Sequence, residues 1–148
     1  MNPLHFTLFE SVVNYFASMI PYVVMDDAPS DYDSMCEYYY TTGALAVWSG
    51  ASDTTIFSCA KSNHAFRAWH DFCHIRAMAD FSEAGERRAM LMQIRMVSDL
   101  TWLSMPSKEI CYKILQCEVM GQIAYHREHG VFPENQKELA IKILRGIL

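Results

Sequence analysis

The chain lacks several features that would have named a function class outright. It has no Cys-x-x-Cys pair, and its five cysteines, Cys36, Cys59, Cys73, Cys111 and Cys117, are odd in number. That argues against a disulfide framework and a thiolate zinc site, and it fits a reducing cytosol. It has no Lys/Arg cluster, and its net charge is -5. The footprint of a phosphate-neutralising protein is therefore missing, and no nucleic-acid partner is expected. Arg87, Arg88 and Arg95 are spread along one helix as a solvated face. The apolar stretch from 4 to 24 is interrupted by His5, Glu10, Asn14 and Pro21, and the start, Met1-Asn2-Pro3-Leu4-His5, carries no basic region. Neither a membrane span nor a signal peptide is expected. There is no Gly-x-Ser-x-Gly for a nucleophile elbow and no Glu-x-x-His pair for a ferritin-like di-iron centre.

What is present reads as one domain over 1–148. Hydrophobic residues make up 51% and charged ones 20%, a globular balance with enough apolar surface for a sizeable core. Ten Met and 13% aromatic residues make that core bulky and adaptable.

The stretch Asn63-His64-Ala65-Phe66-Arg67-Ala68-Trp69-His70-Asp71-Phe72-Cys73-His74 contains no Pro or Gly and runs as a helix. At about 100° per residue, Asn63, Arg67, His70, Asp71 and His74 fall on one narrow stripe, and apolar side chains cover most of the rest. Such a helix is expected to be largely buried, with its polar stripe facing a cleft. His70 and His74, four apart on that stripe, can reach one metal ion. The run reads His-Asp-x-x-His, a relative of the His-Glu-x-x-His zinc signature with an acid one methylene shorter. The competing reading is a solvated helix face or two core imidazoles bonded to backbone.

Before this motif, Leu4, Leu8, Val12, Tyr15, Phe16 and Met19 recur at helical spacing up to Pro21. From about 22 to 60 the periodicity fails. Asp26 to Asp33 is acidic turn chemistry without the spaced ligands of an EF-hand. Tyr38-Tyr39-Tyr40 and Leu45-Ala46-Val47-Trp48 have strand propensity. The following hydroxyl-rich run offers Ser49, Ser52 and Thr54 as hydrogen-bonding wall residues of the cleft.

Ser62 is placed to cap the motif helix, which is expected to end near Met78. A third helix is expected from Glu83, capped by Ser82, to about Ser104, with Glu86 and Gln93 two turns apart in an apolar stripe. A fourth is expected from Ser107 to near Gly130, with Glu118 and Gln122 in its own stripe. A last helix opens at Pro133. The expected fold is thus mainly α, a single-domain bundle of about five helices with a long irregular segment that leaves room for short strands.

Acids and amides on core-facing helices need partners, and bundles build metal sites from inward-facing side chains of this kind. His70, His74 and a carboxylate from Glu86 or Glu118 would supply three ligands to zinc, iron or manganese and leave a position for water. Asp71 is then a general base or an orienting partner of an imidazole, and Arg67 an anion contact or a partner of that Asp. Asn63, Gln93 and Gln122 are substrate or ligand-supporting contacts. The alternative for the same residues is a buried polar network that fixes helix register.

The run Val47-Trp48-Ser49-Gly50-Ala51-Ser52-Asp53, then Phe66-Arg67-Ala68-Trp69-His70-Asp71-x-x-His74, Gly85-Glu86, Gly121-Gln122-x-x-Tyr125 and Gly130-x-Phe132-Pro133-x-x-Gln136 resembles a family of small uncharacterised proteins of tailed bacteriophages and prophages. The resemblance covers roughly 45 to 136. It implies a host bacterial cytoplasm as the setting and carries no activity with it. An HD-type phosphohydrolase matches less well, since the doublet His70-Asp71 has only His5 or His64 upstream and Asp99 downstream. The expectation is a metal-dependent hydrolase of a small anionic substrate, a nucleotide or phosphoester. Its rival is a non-enzymatic accessory protein that binds a host protein or sequesters a small ligand in the same cleft.

Overall fold

The computed structural model describes residues 2–147. Seven α-helices are present among them, with one two-stranded sheet. Helix α1, Pro3–Ala17, starts where Asn2 accepts a hydrogen bond from the Leu4 amide and Pro3 presets the first turn. It buries Phe6, Phe9, Val12, Val13 and Phe16.

The irregular segment holds more order than its sequence suggests. Strands β1, Tyr22–Met25, and β2, Leu45–Trp48, pair in parallel with Tyr22 opposite Leu45 and Met25 opposite Trp48. A parallel pair needs a crossover, and helix α2, Tyr32–Thr42, supplies it. Asp31 caps α2 by accepting from the Ser34 amide, and Gly43 ends it in the left-handed conformation at φ 77°. The acidic turn is therefore a helix start. Tyr38-Tyr39-Tyr40 is helical, correcting the strand expectation: the caps on either side decide against the weak β propensity of three tyrosines.

Helix α3, Ala60–Arg76, is the centre of the molecule and packs against α1, α4 and β2. Trp69 on α3 is fully buried and stacks on Phe16 of α1 with ring centroids 4.7 Å apart. The helix begins two residues before Ser62, behind Cys59, so Ser62 is not its cap. Ser62 is buried instead and accepts from Asn14 of α1. Helix α4, Glu83–Ser98, is capped by Ser82 as the sequence indicates but ends about six residues before Ser104. Helix α5, Met105–Gln116, runs into a π-helical turn, Cys117–Gly121, and continues as α6, Gln122–His129, which stops at left-handed Gly130. The expected fourth helix is thus present but interrupted. Helix α7, Gln136–Leu144, starts behind Asn135, three residues beyond Pro133. No helix among the described residues is long and apolar enough to cross a membrane.

Candidate metal centre

Helices α3 and α4 lie side by side, and their facing stripes bring His70, His74 and Glu86 together. His70 Nε2 stands 2.7 Å from Glu86 Oε2, His74 Nε2 stands 3.1 Å from the same oxygen, and the two Nε2 atoms are 3.0 Å apart. The centre is the one cluster of three potential metal ligands found among the described residues. Glu86 is on the first turn of α4 because Gly85 lets that turn press against the preceding loop. A Cβ at Gly85 would stand 1.9 Å from the Asp80 carbonyl oxygen.

The proton positions follow from the acceptors on the far side of each ring. His74 is fully buried, and its Nδ1 lies 2.8 Å from the carbonyl oxygen of Ala79. A carbonyl can only accept, so Nδ1 carries the proton and Nε2 presents a lone pair when the ring is neutral. His70 Nδ1 lies 2.8 Å from Gln93 Oε1, which fixes the same tautomer. Two imidazole lone pairs and a carboxylate oxygen then converge on one point. Such a set is repulsive unless a cation occupies it, either a metal ion or an added proton. Phe66 stacks on His70 and Phe81 meets His74 edge-on, so both rings are held in place.

Without a metal, the electrostatics describe the second of these cations, an added proton held between the rings and the carboxylate. Burial pushes the Glu86 carboxyl up, but hydrogen bonds from both imidazoles and their charge outweigh it and hold the group down at about 2. Burial disfavours protonation of His70, and the bond to Glu86, helped by Gln93 and Asp71, overcomes it, raising the pKa. Asp71 is pushed up to about 6, chiefly by burial, against the pull of His70 and His74.

The triangle of ligand atoms has edges of 2.7, 3.0 and 3.1 Å. The three atoms are close enough together for one divalent ion to contact them all.

Beside the triad is a cavity of about 220 Å³. Its walls are Asn63, Phe66, Arg67 and His70 of α3, Glu86 of α4, Glu118 and Val119 of the π turn, and Gln122, Ile123, Phe132 and Gln136. No protein-family model, curated protein or solved structure matches the chain.

Of the residues singled out in the sequence, Asn63, Arg67, Glu86, Glu118 and Gln122 line the cavity with His70. His74 and Gln93 are fully buried, and Gln93 bonds to the His70 ring. Glu118 belongs to the cavity wall and not to the ligand triad, which leaves Glu86 as the carboxylate of the two candidates. Arg67 does not pair with Asp71 by hydrogen bond. Its guanidinium donates to the backbone oxygens of Trp48 and Ala51 and lies 5.4 Å from the Trp48 ring, fastening the β2 loop to α3. Asn63 donates to Ser52 Oγ at 3.0 Å, and Ser52 also bonds to Gly50 and approaches His64.

Ser49, Ser52 and Thr54, expected as cavity-wall residues, are not among its lining residues. Ser49 donates to the Asp26 carboxylate, and Thr54 donates to the Glu134 carbonyl at 2.6 Å, so both secure loops. Asp71, expected as a general base, is likewise absent from the cavity wall. The HD-type arrangement fails on distance: Asp99 caps the far end of α4, about 20 Å along the axis from Glu86 at 1.5 Å per residue. Sequence reasoning missed the Ala79 carbonyl, since a backbone oxygen has no signature. Gln136 was visible only as the end of the motif run.

Proposed function

We propose that the chain is a metal-dependent hydrolase of a small anionic substrate, with His70, His74 and Glu86 holding a divalent ion. The observation that carries this reading is the tautomer of His74. Its Nδ1 proton is committed to Ala79, so its free lone pair faces a second lone pair and a carboxylate within 3.1 Å. Two imidazoles and one carboxylate suit zinc, iron(II) or manganese and would leave open positions for water and substrate. A bound ion would supply an activated water and polarise a substrate oxygen.

A bound ion would attract an anion, and Arg67 lies on the same cavity wall. Its volume limits the size. Sites for drug-sized ligands run from about 300 Å³ upward, so 220 Å³ suits a small phosphoester or carboxylate ester, or the phosphate end of a nucleotide. The motif resemblance adds the setting, an accessory protein of an infected bacterial cytoplasm.

A second reading has one observation in its favour. Two His and one carboxylate on a single face also form the site of iron(II) oxygen chemistry. Hydrolysis needs no oxidant, so the two separate cleanly.

The test is elemental analysis of the purified protein after incubation with manganese, iron(II) or zinc, beside His70→Ala and Glu86→Gln variants checked for folding by circular dichroism. About one equivalent of metal in the parent, lost in both folded variants, is expected. Phosphoester and carboxylate-ester turnover should then persist without dioxygen and stop on chelation. A parent that takes up none of the three ions overturns the metal centre, and turnover that requires dioxygen overturns the hydrolase.

A further inference from the structure

The cavity contains a carboxyl group that the ligand triad does not use. Glu118 is only 7% exposed, lines the cavity, and lies in the π-helical turn. Inserting one residue into a helical turn re-aims its side chains, and such turns recur at functional sites. Glu118 Oε2 accepts from Gln122 at 3.2 Å, while Oε1 is buried with no partner among the described residues.

An ionised carboxylate in that position would leave a charged oxygen unsolvated, whereas a neutral carboxylic acid leaves no charge there. Burial alone pushes this group up to about 8. No cation is close enough to oppose it. Gln122 donates to it and to Gln136, Cys117 precedes it in the turn, and the other charged groups on the cavity wall, Arg67, His70 and Glu86, belong to α3 and α4.

We infer that Glu118 is the proton donor of this cavity, giving its carboxyl proton to the leaving oxygen of a small oxyanion ester bound at the triad. The inference rests on the hydrolase reading above. In the step, a water oxygen bonds to the phosphorus or acyl carbon and the bond to the leaving oxygen breaks. That oxygen keeps the electron pair and takes the Glu118 proton. A proton released by the attacking water restores the acid, so the sum is ester plus water giving alcohol plus acid. Asp71 is off the cavity wall, and Glu118 is on it with His70 and Glu86.

Two measurements decide it, one without metal. In metal-free protein carrying ¹³C-labelled Glu carboxyls, one resonance should titrate near pH 8 and be missing in the Glu118→Gln variant. If every Glu carboxyl titrates below about pH 6, the donor role is overturned. In manganese-loaded protein, sulfate serves as an oxyanion probe that does not itself titrate in this range. Its affinity in the parent should fall about tenfold more than in Glu118→Gln between pH 7 and pH 9, as the donor ionises. The variant keeps an amide donor and all three ligands, so it should bind manganese normally. Parallel sulfate profiles would overturn the inference. A parent that fails to bind manganese counts against the metal centre instead, and the carboxyl titration then still decides the state of Glu118.

Discussion

Gln93 governs which nitrogen of His70 is free. With its Oε1 accepting from Nδ1, the ring turns a lone pair toward Glu86, while the other end of the amide, Nε2, is buried without a partner among the described residues. Replacing Gln93 by Leu exchanges one orphaned donor for another, Nε2 for the Nδ1 proton, so stability of the metal-free protein should change little. Orientation of the ligand is lost, however, and such supporting contacts are typically worth about 10–100-fold in metal affinity. A metal titration of Gln93→Leu beside the parent checks this, and equal affinities would contradict the tautomer argument. At this scale the sequence was informative where spacing carries the message. His70 and His74 are read from a four-residue interval, and Glu86 and Glu118 from being acids in apolar stripes. Which acid joins the imidazoles depends on how α4 and the π turn sit against α3, and that is a tertiary fact.

The helix α3 ends in a way its sequence conceals. Met78 N–H bonds to the Ile75 carbonyl at 3.2 Å and Ala79 N–H to the His74 carbonyl at 2.9 Å, the paired bonds of a Schellman cap, with Met78 left-handed at φ 50° where glycine is usual. This cap turns the chain so that the Ala79 carbonyl meets His74 Nδ1. The Met78 side chain is 79% exposed, so it contributes little packing while its Cβ strains the backbone. Met78→Gly should therefore stabilise the protein by about 1 kcal/mol and leave metal binding unchanged, as read from thermal melts and a metal titration. A lower melting temperature would show that the cap does not carry the strain assigned to it. Elements were legible in the sequence where a cap and a period coincide, as in α1 and at the start of α4. They were hidden in α2, whose eleven residues are too short and too polar for a clear stripe, and at the π turn, which differs from α-helix by one residue.

Across the molecule, the buried acids make stability depend on pH in a direction opposite to that of ordinary ion-paired carboxylates. Glu118 moves from an ordinary 4.5 up to about 8 on folding. Between those values the folded protein keeps a proton that the unfolded chain has released, so stability falls as pH rises through the window and levels off above it. Asp71, raised from 3.8 to about 6, contributes in the same direction over a lower window. Glu86, held down at about 2, contributes in the opposite direction: its share is present above pH 4.5 and is lost only as pH falls toward 2. A shift as large as that of Glu118 corresponds to the order of 3–5 kcal/mol, a substantial part of the roughly 5–15 kcal/mol that holds a domain folded. The Glu118→Gln variant carries no such proton. Urea unfolding of the metal-free parent and variant should give similar stabilities near pH 4.5 and a variant more stable by a few kcal/mol at pH 8 to 9. Curves that stay parallel across the range would mean that Glu118 ionises without cost, and the one-core architecture would then have no acid stored beside its candidate metal centre.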